Sequence, residues 1–219
     1  MGRQREQKIT YINHDERERR AAIVMDDFGG ILPQCEAFYL HSILYSAGRC
    51  LESFEEYERL KDVSAESDYL VSIVQEAVGH AAALSRYFWP SRGRDKKGSS
   101  LERLKAKRAE KLRDAFGLSE NSTLYNRELR NAWEHFDERL DLYLLENDAG
   151  FFFPGTVIDD HSLADDPTGH LFKLLDPGAE CLVLMGVKYF FSPIRDEVKG
   201  VLERATAFDR QGSRISSAS

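Results

Sequence analysis

Residues 121–147 read NSTLYNRELRNAWEHFDERLDLYLLEN, and the reading of the fold turns on them. The stretch contains neither Gly nor Pro. Its apolar residues Leu129, Trp133, Phe136, Leu140 and Tyr143 recur at steps of four, three, four and three. That spacing keeps one stripe on one side of a helix, as in bundle helices that bury a face. Asn121, Ser122 and Thr123 have side chains suited to capping a helix N-terminus, and Gly150 and Pro154 close the far end. The stretch therefore predicts one helix of about seven turns.

The opposite side of that helix carries the chemistry. With about 100° per residue, Phe136 and Leu140 fall within about 20° of Leu129, while Arg130, Asn131, Glu134, His135 and Glu138 fan across the far side. Arg130 and His135 are separated by about 140° around the axis and about 7.5 Å along it. A single helix does not let both grip one small group. Two copies packed antiparallel about a two-fold axis would set Arg130 of one beside His135 of the other. The plainer alternative is a solvated face, with Arg130–Glu134 and Asn131–His135 as ordinary i, i+4 pairs.

Arg130-Asn131-Ala132-Trp133-Glu134-His135 resembles the R-(x4 to x6)-H motif of the HEPN superfamily, in which a polar residue commonly follows the arginine; Asn131 fits. The resemblance implies a helical bundle that dimerises through the motif helix. It implies a metal-independent endoribonuclease, as in toxin–antitoxin, phage-defence and RNA-processing members, with RNA as partner and an antitoxin or other protein as a second one. In that picture the ribose 2′-hydroxyl attacks the adjacent phosphate, leaving a cyclic phosphate and a 5′-hydroxyl end. His135 moves the proton, since an imidazole titrates near neutral pH. Arg130 holds the phosphate and offsets the charge growing on its oxygens, and Asn131 orients one or the other. The pattern calls for no cofactor and no metal. Other members of the superfamily have lost catalysis, so the alternative is a dimerising module that binds a nucleotide or a partner protein.

The totals fit a globular chain. At 219 residues, 42% hydrophobic and 31% charged, it is long enough for one sizeable core. No apolar run is long enough to span a membrane, and the charged start MGRQREQKITYINHDERERR has no apolar signal region, which points to the cytoplasm. Cys35, Cys50 and Cys181 suit reduced packing thiols, because Cys35 and Cys50 on one helix would lie about 22 Å apart. There is no zinc-type ligand spacing.

A net charge of −7 disfavours indiscriminate nucleic-acid binding, but the charge is uneven. Residues 86–113 hold eleven basic residues against Asp95, Glu102 and Glu110. The loop SRGRDKKG at 91–98 supplies Arg92, Arg94, Lys96 and Lys97, and Arg86 stands just before it; these are the candidate contacts to an RNA backbone. The solvated face of a helix accounts for Lys105, Lys107, Arg108 and Lys111.

Working outward, residues 34–61 form a helix behind Pro33, and a second opens near Ser64 and stops before Pro90. Ser99-x-x-Glu102 is a capping box that opens a third, which Gly117 ends. Residues 16–25 suit a turn or two of helix, and residues 9–12 a short strand or a loop. His41 and His80 read as partly buried packing residues. Beyond residue 150 the pattern changes. Residues 171–175 and 181–185 flank Asp176-Pro177-Gly178 as a β-hairpin, with a short third strand near Val157, before a last helix behind Ser192-Pro193. Asp159, Asp160, His161, Asp165, Asp166 and His170 form an acidic loop whose groups suit a divalent cation; with no recognised ligand spacing, the loop reads as a solvated surface segment.

The fold expected is therefore mainly all-α: an antiparallel four- to five-helix bundle with a small β-hairpin decoration before the last helix. Its parts are an N-terminal extension at 1–29, a single bundle domain at 30–210 with the hairpin insertion at about 151–191, and a disordered tail at 211–219.

Overall fold

The computed structural model describes residues 12–63, 65–91 and 98–215. Among these, seven α-helices accompany a four-stranded mixed sheet. That corrects the sequence-based expectation: the chain has an α/β fold, not a mainly helical bundle with a small hairpin.

Helix α1 (His14–Phe28) runs longer than the turn or two expected. The Asn13 side chain accepts from the Glu16 N–H at 2.8 Å and opens it, and Gly29 at φ 62° closes it. Helix α2 (Glu36–Leu60) follows a short 3-10 turn at Pro33–Cys35. Helix α3 (Ser67–Phe88) buries Leu70, Val74, Ala77, Ala81 and Leu84 against α2. Helix α4 (Ser100–Phe116) opens at the expected Ser99, whose Oγ accepts from the Glu102 N–H at 3.1 Å, while the Glu102 carboxylate accepts from the Gly98 N–H rather than completing the box at Ser99, and the helix ends at Gly117 in the left-handed region. It packs on α1, where the Ser100 N–H donates to Glu18 at 2.7 Å. Gly30, at φ 95°, lets that joint close: a Cβ there would lie 2.4 Å from the Arg108 backbone nitrogen.

The stretch 121–147 is not one helix. Helix α5 (Glu128–Glu134) starts seven residues later than expected and α6 (Phe136–Glu146) follows after an interruption at His135. The start moves because 122–124 are occupied elsewhere. Leu124 is buried, and its N–H donates at 3.0 Å to Glu197 of the last helix, α7 (Ser192–Arg210), which also accepts from the Thr123 hydroxyl at 2.5 Å. The cap residue, Arg127, makes no side-chain capping bond, and Asn126 just before it accepts from the Glu128 N–H at 2.8 Å. The hydrophobic phase is preserved across the break, since Trp133 and Phe136 stack with centroids 5.9 Å apart.

The sheet runs β1 (Phe151–Ile158), β2 (Gly169–Asp176), β3 (Cys181–Leu184) and β4 (Val187–Phe190), in that order. The expected hairpin is β2–β3, with Leu174 opposite Val183 and Leu175 opposite Leu182. One strand was not anticipated, and the short strand expected near Val157 is longer than expected. β4 is only four residues long and follows a tight turn at Met185 and Gly186. β1 is a full strand, parallel to β2, joined to it by residues 159–168 with a 3-10 turn at His161–Asp165. Parallel neighbours usually need a longer crossover, so nothing local in the sequence announces the pairing.

Leu175, Leu182, Leu184 and Tyr189 from the sheet share one core with α2, α3, α5 and α7. Phe191, fully buried, stacks on Phe54 and meets Tyr57 edge-on. Arg195 of α7 spans the joint, reaching Glu180 in the β2–β3 turn and Glu58 of α2. The tail at 211–215 is docked rather than disordered: Ile215 is buried and its N–H donates to Glu36 at 3.2 Å. Residues 216–219 and 9–11 lie outside the described residues. Among the described residues no helix is long and apolar enough to cross a membrane.

Candidate functional site

The motif residues sit where α5 crosses α3. Gly79 and Ala82 are small, so α5 comes close, and Gln75, Val78, Arg86, Arg130, Trp133 and Glu134 complete the walls of a cavity of about 220 Å³. Arg130 is not on a solvated face; only 17% of its side chain is exposed. Its Nη2 donates to Glu134 at 2.9 Å. Its Nε and Nη1 are buried and have no hydrogen-bond partner among the described residues. A buried donor without an acceptor costs about 1–3 kcal/mol, so this guanidinium is primed for an anion.

Arg86 approaches the same carboxylate, with Nη2 3.6 Å from the second Glu134 oxygen. Arg86, expected as an RNA contact, and Arg130, expected as catalytic, are thus brought together around Glu134. The Arg130 hydrogen bond outweighs burial and holds the Glu134 carboxyl below its usual range. One carboxylate between two guanidiniums leaves a net positive site.

His135 occupies the interruption, at φ −117° and ψ 34°, with 55% of its side chain exposed. Its Nδ1 lies 3.3 Å from Glu138, and its Nε2 has no partner among the described residues. It does not line the Arg130 cavity. A single chain therefore does not close imidazole and guanidinium on one space. The Asn131 side chain makes no hydrogen bond among the described residues; its carbonyl accepts from the His135 N–H at 3.1 Å. Trp133 and Phe136, with Lys173 of β2 at 5.9 and 5.5 Å from their ring centres, anchor the interruption to the sheet. Arg92, Arg94, Lys96 and Lys97 lie outside the described residues.

The acidic loop is more ordered than a solvated loop. His161 Nδ1 lies 2.6 Å from Asp176 Oδ2, and Asp176 is buried. His170 is buried too, with Nε2 2.7 Å from the Ala149 carbonyl. Asp160, His161 and Asp176 each place a ligand-type atom within 4.8 Å of the others. Both carboxylates are already engaged, Asp160 with the Ser162 N–H and Asp176 with the N–H groups of His161 and Ala179. The sequence signal for this pair was the Asp-Pro-Gly turn, read only as hairpin chemistry.

The thiols are free, as packing cysteines would be. Burial pushes the Cys50 thiol up to about 12 and raises that of Cys181, so neither is a nucleophile near neutral pH. His41 is exposed, 3.5 Å from Asp209, rather than packed; His80 is partly buried beside Glu76.

No family model matches the chain, and neither a curated protein nor a solved structure matches it significantly. The likeness to HEPN proteins rests on the motif residues alone.

Proposed function

We propose that the protein is a HEPN-like, metal-independent endoribonuclease whose reaction centre combines Arg130 of one protomer with His135 of another. The observation that carries this reading is the largely buried Arg130 guanidinium with two unpartnered N–H nitrogens, beside Arg86. A phosphodiester oxygen would accept from one of these unpartnered N–H groups and meet the positive charge of both guanidiniums. The ring of His135, exposed at a helix interruption, is free to take the 2′-hydroxyl proton of a strand bound to a partner's arginine. Charge building on the phosphate oxygens is met by Arg130, whose guanidinium is already held in place by Glu134.

A second copy has a surface to occupy. Leu142, Leu144 and Leu145 of α6 and Phe151, Phe152 and Phe153 of β1 are exposed, Leu145 by 79% and Phe151 by 72%. Leu142 and Leu145 share one side of α6, and Phe151, Phe152 and Phe153 lie on the edge strand β1, each leaving apolar surface uncovered. Soluble chains rarely leave so much uncovered. β1 is also an edge strand of the sheet, with Pro154 limiting direct strand pairing.

Glu134 on Arg130 favours one competing reading, a non-catalytic dimerising module that binds a nucleotide or a partner protein such as an antitoxin. Cleavage of a labelled RNA in excess chelator separates the two. The nuclease reading expects products ending in a cyclic phosphate from the wild type, and a loss of about 10²-fold or more in Arg130→Ala and His135→Ala proteins that remain folded. Wild-type cleavage by both variants removes this site from the chemistry.

A further inference from the structure

A second groove lies at the other end of α5. It is a cavity of about 710 Å³ between the end of α3, the middle of α4 and the 118–127 turn, and its walls include Trp89, Tyr125, Arg113, Arg127, Ala109 and Glu120. Trp89 and Tyr125 meet with ring centroids 5.5 Å apart. Trp89 is buried, with only 7% exposed, and its Nε1 is a buried donor with no acceptor among the described residues. Tyr125 is 44% exposed and presents its ring.

The two arginines frame those rings. Arg113 Nη1 donates to the Phe88 carbonyl and Arg127 Nη2 to the Trp89 carbonyl, both at 2.5 Å. Each thus caps the carbonyl end of α3 with one nitrogen, and the other donors of each fork have no partner among the described residues. Arg127 also lines the narrow cleft that Arg130 lines, and Arg130 lines the cavity with Arg86. That cleft admits only about 20 Å³, so the groove with Arg113, Arg127 and Glu120 and the cavity with Arg86, Arg130 and Glu134 are neighbours and not one channel.

We infer that this groove seats a base of single-stranded RNA on Tyr125 and the edge of Trp89, with Arg113 and Arg127 on the flanking phosphates. The inference rests on the ribonuclease reading for the identity of the strand and deepens it by naming an unpaired base as the recognised element. An aromatic ring beside two arginines suits single-stranded nucleic acid: rings take any base by stacking and arginines take its phosphates. A duplex hides its base faces and does not fit. A wholly apolar peptide leaves the arginine donors unmet.

The test uses the full chain and a fluorescent single-stranded 2′-O-methyl oligonucleotide of about 12 residues, a length within or near single-fold site sizes. The methyl groups block 2′-hydroxyl attack, so binding is read by anisotropy without cleavage. Tyr125→Ala should weaken binding by roughly 10-fold, and Tyr125→Phe should leave it within about 2-fold, because stacking uses the ring and not the hydroxyl. Arg127→Gln should weaken binding and flatten its salt dependence. Equal affinity of Tyr125→Ala and wild type, equal binding of a duplex of the same length, or no binding by the wild type each overturns the inference. The catalytic reading fails separately. If His135→Ala still cleaves while Tyr125→Ala loses binding, the groove stands and the reaction centre falls. If Tyr125→Ala cleaves with unchanged KM while His135→Ala is dead, the reverse holds.

Discussion

Replacing Asp176 by asparagine tests how the sheet is held. The carboxylate ends β2, where Oδ2 accepts from the His161 N–H at 3.0 Å and faces His161 Nδ1 at 2.6 Å, while Oδ1 accepts from the Ala179 N–H at 2.9 Å. Burial raises its pKa, but the His161 ring and these backbone donors pull the other way and bring it down to about 2, from an ordinary 3.8. Because the folded value lies below the unfolded one, the stability it contributes is present above about pH 4 and is lost as pH falls through about 2. At 1.36 kcal/mol per unit the contribution is about 2 kcal/mol at neutral pH. The amide of the replacement would also turn an N–H₂ toward groups that need an acceptor. Urea unfolding followed by circular dichroism should show Asp176→Asn less stable by about 2–3 kcal/mol at pH 7, with the gap narrowing toward pH 2. A variant within about 0.5 kcal/mol of wild type at pH 7, or a gap that does not change with pH, would refute the reasoning.

Two further outcomes test other joints. Gly30→Ala adds a Cβ 2.4 Å from the Arg108 backbone at a positive φ, so α1 and α4 should part; a loss of about 2–3 kcal/mol is expected in thermal or urea unfolding. Leu145→Asp alters a side chain that is 79% exposed and should leave thermal stability nearly unchanged, yet shift the sedimenting species from dimer toward monomer.

Much of the helical framework was legible because its signals are local. Ser99 and Glu102 opened α4 and Gly117 closed it, Pro90 followed α3, and the heptad-like steps placed Trp133 and Phe136 on one side. What failed was set by partners distant in sequence. Thr123 and Leu124 lie where the capping residues predicted a helix start, but Glu197 holds them in a turn. The parallel pairing of Phe153 with Leu171 has no short-range signature, and Ile215 is ordered only because Glu36 and the core receive it. At the site, Arg130 and His135 were visible as a motif, whereas the meeting of Arg86 with Glu134 depends on how α3 and α5 pack. Trp89, Tyr125 and Arg127 carry no spacing that would single them out.

Mixing two inactive proteins tests the central claim most directly. Arg130→Ala and His135→Ala chains are combined, denatured together and refolded so that protomers exchange, and RNA cleavage is measured in chelator. If each reaction centre draws its arginine and its histidine from different protomers, a mixed dimer keeps one intact centre, and the mixture should recover about a quarter of wild-type activity. A mixture as inactive as its two components, from a wild type that cleaves and refolds under the same treatment, would contradict the shared site.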